Sequence, residues 1–286
     1  MEIETITEDK LDIVCSVCLD PSVDKETRDL MENGMEKRIC WIKEMISKGL
    51  EIFLASEKPR HEKIHYKWVG KMLHSDLAIH GRVYMGLLEF IPIEYAFEPV
   101  IGNNSLFINC MWILPPFWLK GVGKALLESF IERAKQIGGA SVLAYEGDRW
   151  FGTSIKYMPV SFFKKYGFEE VDRDGSRILL HLNLGSSSPK LIFPKLGKFI
   201  RTKKLTLDIF SNSQCPWSKY MINTVKKGVE HYPNINLRYH NTDDSKLIKE
   251  LGISRGVYLD SKPIFKRMAS WKEIKLILDN ANEMNK

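Results

Sequence analysis

The sharpest change of pattern along the chain runs from Leu106 to Phe130. A continuous apolar, β-rich run ends at Leu114, Pro115-Pro116 breaks it, a basic glycine loop follows, and apolar positions then return at helical spacing. That order predicts a buried strand, a loop, and an amphipathic helix opening at about Lys124. Upstream, Leu30, Met31, Met35, Ile39, Ile42, Met45 and Ile46 fall near helical spacing within Asp24 to Ser47, with Asp24 as a cap and Gly49 as a stop. Glu51 to Ala55 and His80 to Glu89 read as strands, and the His-, Lys- and Arg-rich stretch 61–82 as an irregular loop and hairpin. Downstream, Gly138-Gly139 ends the helix turn and Ala140 to Glu146 reads as a strand. Gly147 to Gly152 is then a loop at the open end of the sheet, and Val160 to Tyr166 a helix closed by Gly167. Phe168 to Val171 and Ile178 to Leu184 form a closing hairpin.

Gly185-Ser186-Ser187-Ser188-Pro189 reads as a linker. Beyond it the pattern restarts. Leu205 to Ser211 is a strand, Gln214-Cys215-Pro216-Trp217-Ser218 leads into a helix reaching His231, and Ile235 to His240 is a strand. Ser245 to Leu251 is a helix, Gly256 to Leu259 and Lys262 to Lys266 a hairpin, and Trp271 to Asn282 a final helix. Two domains also suit a length of 286 residues.

Composition narrows the class. With 44% hydrophobic and 27% charged residues the chain reads as globular. It holds no run of about 18 apolar residues, so no membrane span is expected. The acidic start MEIETITEDK lacks an apolar core, so no signal peptide is expected. Five scattered cysteines do not make a secreted disulfide scaffold; reduced thiols and a cytoplasmic setting follow. A net charge of +6 suits an anionic ligand, and no basic-aromatic strip points to nucleic acid.

The glycine loop is a phosphate-binding device. Gly121 and Gly123 let backbone approach a ligand, and the helix that follows aims unpaired N–H groups and its positive dipole end at the same spot. A dinucleotide fingerprint needs a third glycine where Leu126 stands, and a nucleotide-triphosphate loop needs Ser or Thr where Ala125 stands. What fits is Lys120-Gly121-Val122-Gly123-Lys124-Ala125, which resembles the acyl-CoA loop of the GCN5-related N-acetyltransferases (GNAT), with lysine in place of the usual Arg or Gln. Val160 to Phe168 (VSFFKKYGF) is similar to a second segment of that family. Ile91-Pro92-Ile93-Glu94-Tyr95-Ala96-Phe97-Glu98-Pro99 resembles a motif of the subset that carries a C-terminal thioredoxin-like domain of the YoaP type.

The resemblance implies an α/β (α+β) fold. A mixed central sheet flanked by helices would span 1–184, a lead-in 185–204, and a smaller thioredoxin-like α/β domain 205–286. It implies acetyl-CoA as co-substrate, its pantetheine arm paired with backbone at Trp112, Ile113 and Leu114 in the manner of an added strand. It implies transfer to an amine (a small molecule or a peptide) by direct attack in a ternary complex, and leaves a homodimer open. The family's acid, the tyrosine of an F-Y pair, is here Phe163. Tyr157 is the candidate substitute, since Tyr166 lies three residues off. Glu94 is the candidate base, ahead of Glu98 and Glu146, all three reading otherwise as solvated surface carboxylates.

Cysteine offers a different class of function. Cys15-x-x-Cys18 can be a redox or metalloid-binding dithiol, a zinc site with Cys40 and His61 or His65, or buried packing. Cys110 on the central strand offers a covalent route or core packing, and reads as core packing. Cys215-Pro-Trp-Ser218 resembles the thioredoxin C-x-x-C with the second cysteine replaced, and a helix N-terminus would favour its thiolate. A thiol-based redox, stress or metalloid-binding protein using Cys215 and the Cys15/Cys18 pair is therefore the alternative, with bound CoA non-catalytic. A CoA-binding module without catalysis is the third reading. No metal is assigned.

Overall fold

The computed structural model describes residues 1–19, 24–31, 33–58, 64–68, 71–75, 78–79, 81–153, 155–195 and 204–283, with backbone alone for 64–68, 71–75, 78–79 and 282–283. In order come β1 (Glu2–Thr5), α1 (Leu11–Leu19), α2 (Lys25–Leu30), α3 (Gly34–Ile46), β2 (Glu51–Glu57), β3 (Ile64–Trp68), β4 (Lys71–Ser75), β5 (Ala78–Ile79) and β6 (Arg82–Pro92). Then follow β7 (Val100–Ile101), β8 (Leu106–Ile113), α4 (Val122–Lys135), β9 (Gly139–Tyr145), α5 (Val160–Lys164), β10 (Glu169–Asp174), β11 (Arg177–Asn183) and β12 (Lys190–Leu191). The remainder is β13 (Leu205–Ser211), α6 (Trp217–Val229), β14 (Ile235–Asn241), α7 (Ser245–Leu251), β15 (Gly256–Leu259), β16 (Lys262–Phe265) and α8 (Trp271–Glu283).

Seven strands lie in the order β1-β2-β6-β8-β9-β11-β10, with β5 added beside β6. Every pair is antiparallel except β8–β9, which is parallel and registers only Leu106, Phe107 and Ile108 with Ala140, Ser141 and Val142. Past Ile108 the two strands take separate partners: β8 stays with β6, and β9 with β11. A wedge therefore opens between them toward their C-terminal ends. Burial explains why these stretches are strands. Val83 to Ile91 of β6 and all of β9 are buried, so nearly continuous apolar runs, interrupted by Glu89 and Ser141, serve both faces. Helix α4 covers one face with Val122, Leu126, Leu127, Phe130 and Ala134.

The single helix expected over Asp24 to Ser47 is two. Asp24 caps α2 by accepting from Thr27 N at 2.8 Å, but Asn33 takes a left-handed φ of 60° and breaks the run before α3. The helix after the glycine loop opens at Val122, two residues earlier than its pattern suggests, because Gly121 at φ 80° is its cap.

A second sheet domain stands at the C-terminus, ordered β14-β13-β15-β16, with β13–β14 parallel and the other pairs antiparallel. It is seated on the first. Phe151, from the loop after β9, lies in the core of the second domain, and Ile248 of α7 lies in the core of the first. The lead-in is not loose throughout: β12 pairs with β7 of the first domain. Among the described residues no helix is long and apolar enough to cross a membrane.

Candidate active site

The glycine loop stands at the mouth of the wedge. Ala125 N makes the first bond of α4, to Gly121 O at 3.0 Å, so the N–H groups of Val122, Gly123 and Lys124 precede the helical ladder. A Cβ on Gly121 would meet nothing within 4 Å; the residue is required for its φ and faces open space. Gly123 is closely packed: a Cβ there would come within 3.3 Å of Met111 Cε and 3.4 Å of Phe162 Cζ. Lys120 and Lys124 are exposed beside the loop, with Lys120 Nζ 5.5 Å from the Phe117 ring centre. Bare N–H groups, a helix dipole, two ammonium groups and open space suit a phosphate-bearing ligand.

Of the strand residues expected to hold a pantetheine arm, two already have one backbone group committed. Leu114 N donates to Met85 O at 2.9 Å, and Ile113 O accepts from Trp118 Nε1 at 2.8 Å. Trp112 turns its ring toward Trp150, 6.2 Å away between centres, and its indole N–H is buried without a partner.

Residues 43–150 match the model of the Acetyltransferase (GNAT) family. The chain carries a GNAT acetyltransferase domain. It is 26% identical over 159 residues to the uncharacterized N-acetyltransferase YoaP of Bacillus subtilis strain 168, covering 53% of this chain and 61% of that protein's length. Among solved structures, the PaiA N-acetyltransferase of Thermoplasma acidophilum in complex with coenzyme A is similar at 16% identity and a TM-score of 0.38, over 64% of this chain and 99% of that one. A GNAT acetyltransferase of Brucella melitensis in complex with acetyl-CoA is similar at 11% identity and a TM-score of 0.36, over 66% of this chain and 91% of that one.

At the apex of the wedge, the GNAT domain and the second domain share a buried polar cluster that pattern reading missed. Glu89 of β6 is fully buried and pairs with Arg38 of α3, Nη2 to Oε2 at 2.9 Å. Arg38 Nη1 also donates to the main-chain oxygen of Gln214. The Gln214 carboxamide nitrogen donates to Glu89 Oε1 at 3.0 Å and to Asn109 O at 3.1 Å, while its oxygen accepts from Arg255 Nη2 at 2.6 Å. Arg255 in turn pairs with Glu98 at 3.1 Å. Two signals were available in the sequence. Glu89 is the lone carboxylate in an otherwise apolar strand run, and Arg38 falls on the buried stripe of its helix between Gly34, Trp41, Ile42 and Met45.

The candidate bases separate. Glu98 is a correction: it is 5% exposed rather than solvated, because Arg255 and Ser254 of the second domain hold it. Glu94 is exposed, accepts from Asn104 N at 3.3 Å, and lies past Pro92, which pairs with Leu106. The paired segment Leu106–Ile108, about 10 Å of strand, puts it behind the apex and out of reach of the wedge. Glu146 is exposed and bound to Arg173 at 2.7 Å. Tyr157 does reach the wedge, between Trp150 and Tyr145 at 5.0 and 5.3 Å, and burial holds its hydroxyl well above the usual tyrosine range. Phe163 is buried against Phe168, and Tyr166 packs on Phe162.

All five cysteines are unpaired. Trp217 Nε1 donates to Cys18 O at 3.0 Å, which brings the start of α6 to the end of α1. Burial pushes the Cys18 thiol up to about 12, raises Cys15 and Cys215, and holds Cys110 well above the ordinary thiol range. For Cys215 this corrects the expected thiolate: burial outweighs Arg255, Arg38 and the Trp217 N–H at the helix start. Cys40 is exposed. His61 and the His65 side chain, the other zinc candidates, lie outside the described residues. Among the described residues no group of three His, Cys, Asp or Glu is placed to hold a metal ion.

Proposed function

We propose that the protein is an acetyl-CoA-dependent N-acetyltransferase acting on an amine by direct attack in a ternary complex. The observation that carries this reading is the Gly121-capped opening of α4 at the mouth of the β8–β9 wedge. Val122 to Lys124 would hold the diphosphate, and the edge of β8 from Cys110 to Leu114, which β9 leaves, would line the pantetheine arm. Acetyl-CoA, when bound, supplies the activated acetyl group. The neutral acceptor nitrogen forms a bond to the acetyl carbon, the carbon–sulfur bond breaks, the nitrogen gives up a proton, and the CoA sulfur gains one. Tyr157, a neutral hydroxyl beside Trp150 and Tyr145, is our candidate to hand that last proton to the sulfur, its own loss made good by the proton the nitrogen sheds.

The boundaries 1–184 and 205–286 are part of the proposal, as is a thioredoxin-like ancestry for the second domain, supported by its strand–helix–strand–helix–hairpin–helix order. Five unpaired thiols suit a reducing, cytoplasmic setting. Titration calorimetry of the reduced protein with acetyl-CoA, beside Gly121→Glu, tests the reading. Micromolar binding lost in the variant supports it; no binding by the parent protein overturns it.

A further inference from the structure

We infer that Glu89 and the main-chain oxygen of Asn109 form the subsite for the acceptor's amino group, and that the Gln214 carboxamide fills it in this structure as an internal stand-in for an α-amino acid or peptide N-terminus. The inference rests on the acetyltransferase reading above and names its acceptor class.

Gln214 is attached to the second domain, 125 residues from Glu89, yet its NH₂ group spends both hydrogens inside the GNAT domain, on Glu89 Oε1 and Asn109 O. Two acceptors converging on one nitrogen are what a primary amine or ammonium requires. Glu89 has no exposure to water, and Arg38 engages only Oε2. Its Oε1 is thus a buried charged acceptor that takes its donor from outside the GNAT domain.

The position fits the chemistry. Asn109 is the first residue of β8 beyond the last β8–β9 pair, and it is the residue left over where the register with β6 shifts between Glu89 and Phe90. The Gln214 nitrogen therefore stands at the apex of the wedge, on the face of β8 that looks toward the second domain. The same carboxamide offers its oxygen to Arg255 Nη2. An α-amino acid or peptide N-terminus carries the same pair of functions three bonds apart: a nitrogen donor for Glu89 and Asn109 O, and a carbonyl or carboxylate oxygen for Arg255. Nearby buried polar groups lack partners, namely Trp112 Nε1, Arg255 Nε and both side-chain atoms of Asn109. Three of these are donors and one an acceptor, so a ligand richer in acceptor oxygens than a simple alkylamine would satisfy them. The neighbouring space lined by Tyr157 and Arg255 is about 10 Å³, room for about one water, so on this proposal an acceptor has to take the place of the Gln214 side chain.

The test uses the full-length protein and its Gln214→Ala and Gln214→Ser variants, both of which shorten the side chain and vacate the subsite. Each is incubated with acetyl-CoA and glycine, trialanine or ethylamine, and acetylated product is quantified by mass spectrometry. Either variant should acetylate glycine or trialanine at least tenfold faster than the parent, and ethylamine much less. The preferred compound tells a free amino acid from a chain N-terminus. Millimolar propionamide, the side chain removed, should slow Gln214→Ala, and adding Glu89→Gln should abolish the gain. Rates unchanged or lowered in whichever variants fold, with acetyl-CoA still bound, would overturn the subsite; equal gain for ethylamine would overturn the Arg255 assignment. If neither parent nor variants bind acetyl-CoA, it is the acetyltransferase reading that fails.

Discussion

Arg38 Nη2 lies 2.9 Å from Glu89 Oε2, with the arginine 2% exposed and the glutamate fully buried. The pair joins α3 to β6 at the place where the second domain docks, since Arg38 also donates to Gln214 O. A buried charge left alone costs far more than the pair gains. Arg38→Ala should therefore destabilise the protein by about 3–5 kcal/mol, while Arg38→Met with Glu89→Leu should recover much of the loss. Urea unfolding of the three proteins checks this, and an additive double variant would refute it.

Gly121 holds φ 80° before open space. A Cβ there costs about 1–2 kcal/mol of backbone strain and blocks nothing, whereas a carboxylate repels the phosphates the loop is built to hold. Gly121→Ala should weaken acetyl-CoA binding modestly and Gly121→Glu by far more than tenfold, each with a fold that circular dichroism does not distinguish from the parent. Equal effects of the two substitutions would show that charge is not what the loop reads.

Cys18 carries a pH signature. Its thiol ionises near 9.0 when free and at about 12 in the folded protein, because burial penalises the thiolate. The stability tied to that proton is complete below pH 9 and is lost as pH rises from 9 toward 12. Urea midpoints measured at pH 8, 9 and 10 should fall more steeply for the parent than for Cys18→Ala; parallel slopes would count against it.

Thiol exposure differs in the same way. Cys40 is exposed, while Cys15 is buried and Cys18, Cys110 and Cys215 are partly covered with raised ionisation. Titration with an aromatic disulfide reagent at pH 7.5 should show one fast thiol, removed by Cys40→Ser, and four slow ones released by urea. A fast thiol surviving that substitution would restore the reactive reading of Cys215.

Phe151 leaves the first domain to sit in the core of the second, 9% exposed, beside Trp217 and Tyr220 at 5.8 and 5.7 Å. Phe151→Ala should cost about 3–5 kcal/mol and make the second domain the earlier of the two to be cut by a limiting protease. An unaltered cleavage pattern would mean that Phe151 is not what holds the domains together.

Local pattern determined much of this protein. The β8 run, the proline break, the Gly121 loop and the α4 stripe each carry their own periodicity or backbone demand, and they fold where they are written. The same is true of the strand and helix order after Leu205. Tertiary structure decided the chemistry at the apex. Glu89, Arg38, Gln214 and Arg255 lie far apart in the chain, and no period links them; only the seating of one domain on the other brings four polar side chains together in a buried cluster. That seating also reversed two local expectations. Glu98, a surface carboxylate by its neighbours, is buried by Arg255, and Cys215, activated by its helix, is quieted by burial. Charge pairing and desolvation depend on what lies across a gap, and the sequence alone does not say what that is.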